Sequence, residues 1–132
     1  MLCYLLDTNI CIYVIKNRPE GLRERFNRNS GALAISAVSL AELHYGAEKS
    51  SRPSQNLDVV ARFVGCLNVL PFSTDCAAPY GQIRAELEAR GTPIGPYDLM
   101  IAAPALSEDL TLVTNNLREF KRVTGLRVEN WL

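Results

Sequence analysis

Short apolar runs alternate with longer amphipathic stretches along most of this chain, and no Asn-Gly turn joins one run to the next. That alternation constrains the fold most. Hairpins need two-residue turns of that kind, whereas parallel strands need helical crossovers. The pattern therefore predicts a parallel sheet covered by helices on both faces. In such sheets ligands bind beyond the carboxyl ends of the strands.

Cys3 to Leu6 reads as the first strand and stops at Asp7-Thr8-Asn9, before a continuously apolar segment from Ile10 to Ile15. Pro19 is expected to open a helix to about Asn29, with Arg23, Arg25 and Arg28 forming a basic face. Leu33 to Ile35 reads as a buried strand. Ser39 to about Lys49 reads as a helix, because Ser39-Leu40-Ala41-Glu42 has the S-x-x-E form of a capping box. Val60, Phe63, Val64 and Leu67 recur at helical spacing, and a short strand is expected around Val69 and Leu70. A long helix from Thr74 to Arg90 ends at Gly91, and Pro96 suits the first turn of the next. Thr111 to Thr114 is a strand, Asn115-Asn116 a turn, Leu117 to Phe120 a helical turn, and Leu126 to Val128 a last strand. Pro104, eight residues into the helix that Pro96 opens, is expected to distort or end it near Ala103 to Leu106 while leaving Asp98 undisturbed.

A chain of 132 residues with 48% hydrophobic and 21% charged residues fits one domain spanning residues 1–132. No apolar stretch reaches the roughly 20 residues that cross a bilayer, and Met1 to Leu6 is too short and uncharged for a signal peptide, so a cytoplasmic location is expected. Cys3, Cys11, Cys66 and Cys76 show neither zinc-ligand spacing nor a disulfide framework and are expected to be buried thiols. Fourteen basic residues balance fourteen acidic ones, which excludes a strongly basic nucleic-acid coat. Any nucleic-acid contact must be local.

The chemistry rests on acids. Asp7 follows the first strand, Glu42 lies in the first turn of the helix after the second, and Asp98 begins the helix that leads to the Thr111 strand. Each has an ordinary local explanation: Asp7 as a cap, Glu42 as the capping-box partner, Asp98 favoured by the helix dipole. Taken together they are harder to dismiss, because Leu5-Leu6-Asp7 and Tyr97-Asp98-Leu99-Met100-Ile101 embed acids in core sequence. Three converging carboxylates repel one another unless a hard cation joins them, and oxygen ligands favour Mg²⁺ or Mn²⁺ over zinc. Such a cation polarises a phosphate oxygen and lowers the pKa of bound water, the chemistry of phosphodiester hydrolysis.

The stretches Leu6-Asp7-Thr8-Asn9, Ser39-Leu40-Ala41-Glu42-Leu43, Pro96-Tyr97-Asp98 and Val113 to Phe120 resemble PIN-domain proteins, more narrowly the VapC toxins of bacterial toxin-antitoxin systems. The resemblance implies a three-layer α/β/α domain with a parallel five-stranded sheet and Mg²⁺- or Mn²⁺-dependent endoribonuclease activity. It also implies structured RNA as substrate, with transfer RNA favoured, a homodimer, and a hetero-oligomer with a VapB-type antitoxin. Asp7, Glu42 and Asp98 match the family's catalytic, metal-binding acids, and Glu119 falls near a fourth. Glu119 reads equally well as the helix-start partner of Asn116. Thr8, Asn9, Thr114, Asn115 and Asn116 are short polar groups suited to orienting metal ligands, or to turn and cap duty. Arg84, Arg90 and Arg118 are candidate phosphate contacts and Tyr97 a candidate stacking surface for a base.

Two rivals remain open at this stage. An aspartyl-phosphate phosphatase would need a second acid where Asn9 stands. A PIN-like module that binds RNA or protein without cutting would carry a degraded acidic set. His44 lies only two residues from Glu42, and such neighbours on a helix do not face each other, which argues against a histidine-based hydrolase.

Overall fold

Asp7, Ser36 and Thr114 stand at the same level across three adjacent strands, each one residue beyond the pairing of Leu6 with Ile35 on one side and with Val113 on the other. The computed structural model describes residues 1–132. The strands are β1 (Tyr4–Leu6), β2 (Leu33–Ser36), β3 (Asn68–Leu70), β4 (Thr111–Val113) and β5 (Val128–Glu129). All pair in parallel, in the order β3-β2-β1-β4-β5. The helices are α1 (Thr8–Lys16), α2 (Leu22–Arg28), α3 (Ala37–Glu48), α4 (Pro53–Val64), α5 (Thr74–Ala89), α6 (Pro96–Ser107) and α7 (Leu117–Phe120).

Strand side chains alternate between faces, and the sheet therefore feeds two cores. Leu6, Leu33, Ile35 and Val113 join Ile10, Val14, Phe26, Leu43, Val60 and Phe63 of α1 to α4 on one side. Leu5, Ala34 and Leu112 join Ile83, Leu87, Leu99, Ile101 and Phe120 of α5 to α7 on the other. This is the expected three-layer α/β/α arrangement. The chain leaves β1 towards β2 and returns later to β4 on its opposite edge. The carboxyl ends of β1 and β4 thus flank a topological switch point, where open α/β sheets place their ligands.

Several boundaries differ from the sequence reading, each for a local reason. Helix α2 begins at Leu22 rather than Pro19, because Gly21 turns the chain with a left-handed φ of 92°. The basic face expected there is largely engaged. Arg23 donates to the carbonyls of Val14 and Ile15 at the end of α1, and Arg25 lies over the Trp131 ring and beside Glu129. Helix α4 starts at Pro53, and Leu67 lies beyond its end. The last strand is Val128–Glu129 rather than Leu126 to Val128, since Val128 and Glu129 are the residues that pair with Leu112 and Val113.

Helix α6 does not end at Pro104 but runs on to Ser107. The proline ring is fully buried beside Ala102, Ala103 and Ala105, whose small side chains leave it room. Burial of the ring offsets the missing backbone donor. Only two of the four cysteines fit the expectation of burial. Cys11 and Cys76 are buried, Cys3 and Cys66 are exposed, and all four are free thiols.

Phe120 closes α7 onto the sheet and is fully buried. That packing holds the neighbouring Glu119 beside the end of β4. Phe120→Ala is therefore expected to lower stability by about 3–5 kcal/mol, read as a reduced urea midpoint, with Phe120→Leu losing much less.

Candidate active site

Asp7 is the best-anchored of the acids. It ends β1 and caps α1, with Oδ1 accepting from the Thr8 N–H at 2.8 Å and Oδ2 accepting from the Thr114 hydroxyl at 2.8 Å. Thr114 is itself oriented, because its Oγ1 accepts the Asn116 N–H at 2.9 Å. Burial pushes the Asp7 carboxyl above its usual range, and the bonds from Thr114 and Thr8 oppose that shift.

Glu42 does not occupy the capping-box position. Helix α3 begins at Ala37, and its cap is Ser36, whose hydroxyl accepts the Ser39 N–H at 3.0 Å. Ser39 lies inside the helix and Glu42 a turn further on, too far along to serve the cap. The ordinary explanation for Glu42 is thereby lost. Its carboxylate instead accepts from the Thr8 hydroxyl at 3.1 Å. Ser36 and Ser39 were absent from the candidate residues. Their three-residue spacing straight after a strand was the available signal.

Asp98 sits in the first turn of α6, whose N-cap Gly95 supplies no side chain. It is half-buried, and its pKa is pushed up to about 7. Burial contributes most, followed by the charge of Asp7, a hydrogen bond with the Glu119 carboxyl, the charge of Glu119 and the charge of Glu42. The charges of Asp7, Glu119 and Glu42 thus all bear on Asp98, while no three of the four side chains form a ready ligand cluster. None has a Lys or Arg partner. The four ion pairs of the molecule, Arg25–Glu129, Arg84–Glu88, Arg90–Glu86 and Arg127–Asp109, all lie elsewhere.

Among the flanking polar residues, Thr8 touches Asp7 and Glu42, Thr114 touches Asp7, and Asn116 donates to Glu119 at 3.2 Å. Asn9 and Asn115 are exposed and make no side-chain bond to the acids. Arg84 lies on the outside of α5 and Arg90 is its C-cap. Arg84 holds Glu88 and the Tyr80 hydroxyl, and Arg90 the carbonyl of Arg122. Arg118 is exposed without an ion-pair partner, one residue from Glu119. Tyr97 is 68% exposed and Tyr45 66%, and both line an apolar groove of about 660 Å³ with Val38, Ala41 and Met100. Glu42 forms part of its wall.

The PIN domain model matches residues 4–126, nearly the whole chain. The chain belongs to the PIN-domain family. Across 131 residues, 99% of both chains, this PIN domain is 56% identical to the tRNA(fMet)-specific endonuclease VapC of Salmonella typhimurium. It is 52% identical to Ribonuclease VapC2 of Haemophilus influenzae over the full length of both. A chain in the crystal structure of DNA-bound VapBC from Salmonella typhimurium superposes with a TM-score of 0.95, each covering all of the other at 56% identity. A chain of VapBC2 from Rickettsia felis bound to a promoter DNA fragment gives 0.93 at 42% identity, covering 99% of this chain and 100% of its own. Full-length kinship with VapC ribonucleases makes this PIN domain a nuclease of the toxin type. The phosphatase reading, already missing its second acid at Asn9, falls away.

The raised Asp98 carboxyl has a consequence for stability. Between about pH 4 and pH 7 the unfolded chain has released this proton while the folded chain retains it, so the folded state loses stability as pH rises. Asp98→Asn, neutral at every pH, is therefore expected to raise the melting temperature in chelator at pH 8 by several degrees, and by less at pH 5. An equal gain at both values would show that burial and neighbouring charge do not govern this carboxyl.

Proposed function

We propose that the protein is a Mg²⁺- or Mn²⁺-dependent endoribonuclease that cuts transfer RNA in the cytoplasm and is held in check by a VapB-type antitoxin. The observation that carries the reading is the convergence of Asp7, Glu42, Asp98 and Glu119 at the switch point with no protein cation to balance them. An all-oxygen, anionic donor set of this kind fits a hard divalent ion. No three of the side chains form a finished ligand array. Asp7, Glu42, Asp98 and Glu119 are the residues that would hold the ion. When bound, the ion would supply charge to a phosphate oxygen and acidity to a water.

The chain's own residues do the rest. Thr114 and the Thr8 amide donate to the Asp7 carboxyl and oppose the effect of its burial, and Asn116 donates to Glu119. Arg118, unpaired beside Glu119, is placed to meet a backbone phosphate. The groove between Tyr45 and Tyr97 offers apolar and aromatic surface beside Glu42, the kind of surface on which unstacked RNA bases settle. Transfer RNA is favoured because the relative in Salmonella typhimurium is named a tRNA(fMet)-specific endonuclease.

Purified protein incubated with total transfer RNA and Mn²⁺ is expected to yield a single dominant cleavage product, with sequenced ends mapping to the initiator species. Chelator should abolish it. Asp7→Asn should abolish it too, while changing stability by only about 0.5–2 kcal/mol, the range for a lost helix cap. Undiminished cleavage by Asp7→Asn, or cleavage in chelator, would refute the assignment.

The partner reading has its own surface. Helices α1, α2 and α4 bound a second groove, lined by Val14, Ile15, Arg23, Phe26, Val59 and Phe63 among others. An amphipathic antitoxin segment fits such a groove by its apolar face. Relatives at 56% and 42% identity are solved as VapBC complexes, and a homodimer within that hetero-oligomer is the assembly we propose. Val59 is exposed, so Val59→Glu is expected to leave folding and cleavage intact while weakening antitoxin co-elution at least tenfold. Unchanged co-elution would place the antitoxin elsewhere.

A further inference from the structure

Thr8 grips two acids at once. Its N–H donates to Asp7, and its hydroxyl reaches Glu42. The same hydroxyl lies 2.9 Å from Ser39 Oγ, which lies 3.3 Å from Ser36 Oγ. A carboxylate only accepts, and each hydroxyl has one proton to give. Thr8 must therefore donate to Glu42, Ser39 to Thr8, and Ser36 to Ser39. The run has one direction, and it ends on the Glu42 carboxylate.

Capping alone does not account for this arrangement. Ser36 already provides the cap of α3. A serine inside a helix ordinarily points its hydroxyl to solvent or back to the carbonyl four residues before it. Ser39, 0% exposed, instead points across to Thr8 on another helix. Ser36 at 1% and Thr8 at 8% exposure complete a water-excluded line that ends at an exposed acid. In such surroundings a hydroxyl is costly to leave unpaired, which keeps every member of the line in register.

We propose that Ser39 is a positioning residue that orients the Glu42 carboxylate through Thr8, fixing its placement relative to Asp7 for cation binding. The proposal rests on the metal-centre reading of the acids. Residues that orient metal ligands in this indirect way typically affect affinity by about 10–100-fold.

The test is Mn²⁺ titration of the purified full-length chain, followed by calorimetry and by the paramagnetic signal of free Mn²⁺, with thermal melts alongside. Thr8→Val and Ser39→Ala are each expected to weaken Mn²⁺ binding about tenfold, and Thr8→Ser to retain wild-type affinity. Because Ser39 acts through Thr8, the double variant should bind no more weakly than Thr8→Val alone. Ser39→Cys, nearly the same shape with a weak donor, substitutes if the alanine variant fails to fold. Wild-type Mn²⁺ affinity in the Ser39 variants, or additive losses in the double variant, would overturn the proposal and leave Ser39 a packing residue. Glu42→Gln separates the two levels. If it binds Mn²⁺ as well as wild type, or wild type binds none, the metal-centre reading itself fails.

Discussion

The structure depends on the pairing of β1 between β2 and β4. Three residues, Tyr4 to Leu6, form the middle of the sheet, and Leu5 and Leu6, both fully buried, anchor the two cores on opposite faces. The parallel neighbours of β1 also fix where the chain can do chemistry, because all strand ends with carboxyl termini lie on one edge. The residue that follows Leu6 must sit at that edge, level with Ser36 and Thr114. Asp7 is there, and the remaining acids arrive on helices that start from the same rim.

That convergence works against stability. Burial and like charges raise Asp98, and Asp7 is buried with only neutral donors for company. A sequence selected for stability alone would place a lysine or arginine among these acids, or dispense with one of them. The basic residues are available, but they are used elsewhere: Arg23 on the end of α1, Arg90 on the carbonyl of Arg122, Arg127 on Asp109. The centre is thus held open to an external cation by the placement of its bases as much as by that of its acids.

The layer architecture was readable from residue pattern because strands of three or four residues still show as short apolar runs and the intervening helices are long. What the pattern lacked was the position of boundaries that depend on tertiary contacts. Val128 and Glu129 are a strand only because Leu112 and Val113 offer partners, and Pro104 is tolerated only because its ring finds a space among alanines. Cys3 and Cys66 look like core residues by composition and are exposed by position. Asp7 and Asp98 were legible from their apolar flanks, which no helix cap requires. Ser36 and Ser39 were not, since a buried serine and a capping serine have the same sequence signature.

Glu42 shows most clearly how a correct residue can be found by a mistaken local argument. The S-x-x-E spacing with Ser39 suggests that the glutamate folds back on the helix start, a role that would have used up its carboxylate. Helix α3 instead begins two residues before Ser39, with Ser36 as its cap. That three-residue shift of the cap moves Ser39 from cap to buried bridge and leaves Glu42 at the rim of the sheet, where Thr8 meets it. The carboxylate is then free of backbone duty, and its one protein donor is the Thr8 hydroxyl, itself held by Ser39. A helix cap three residues earlier is thus what separates a structural glutamate from a functional one.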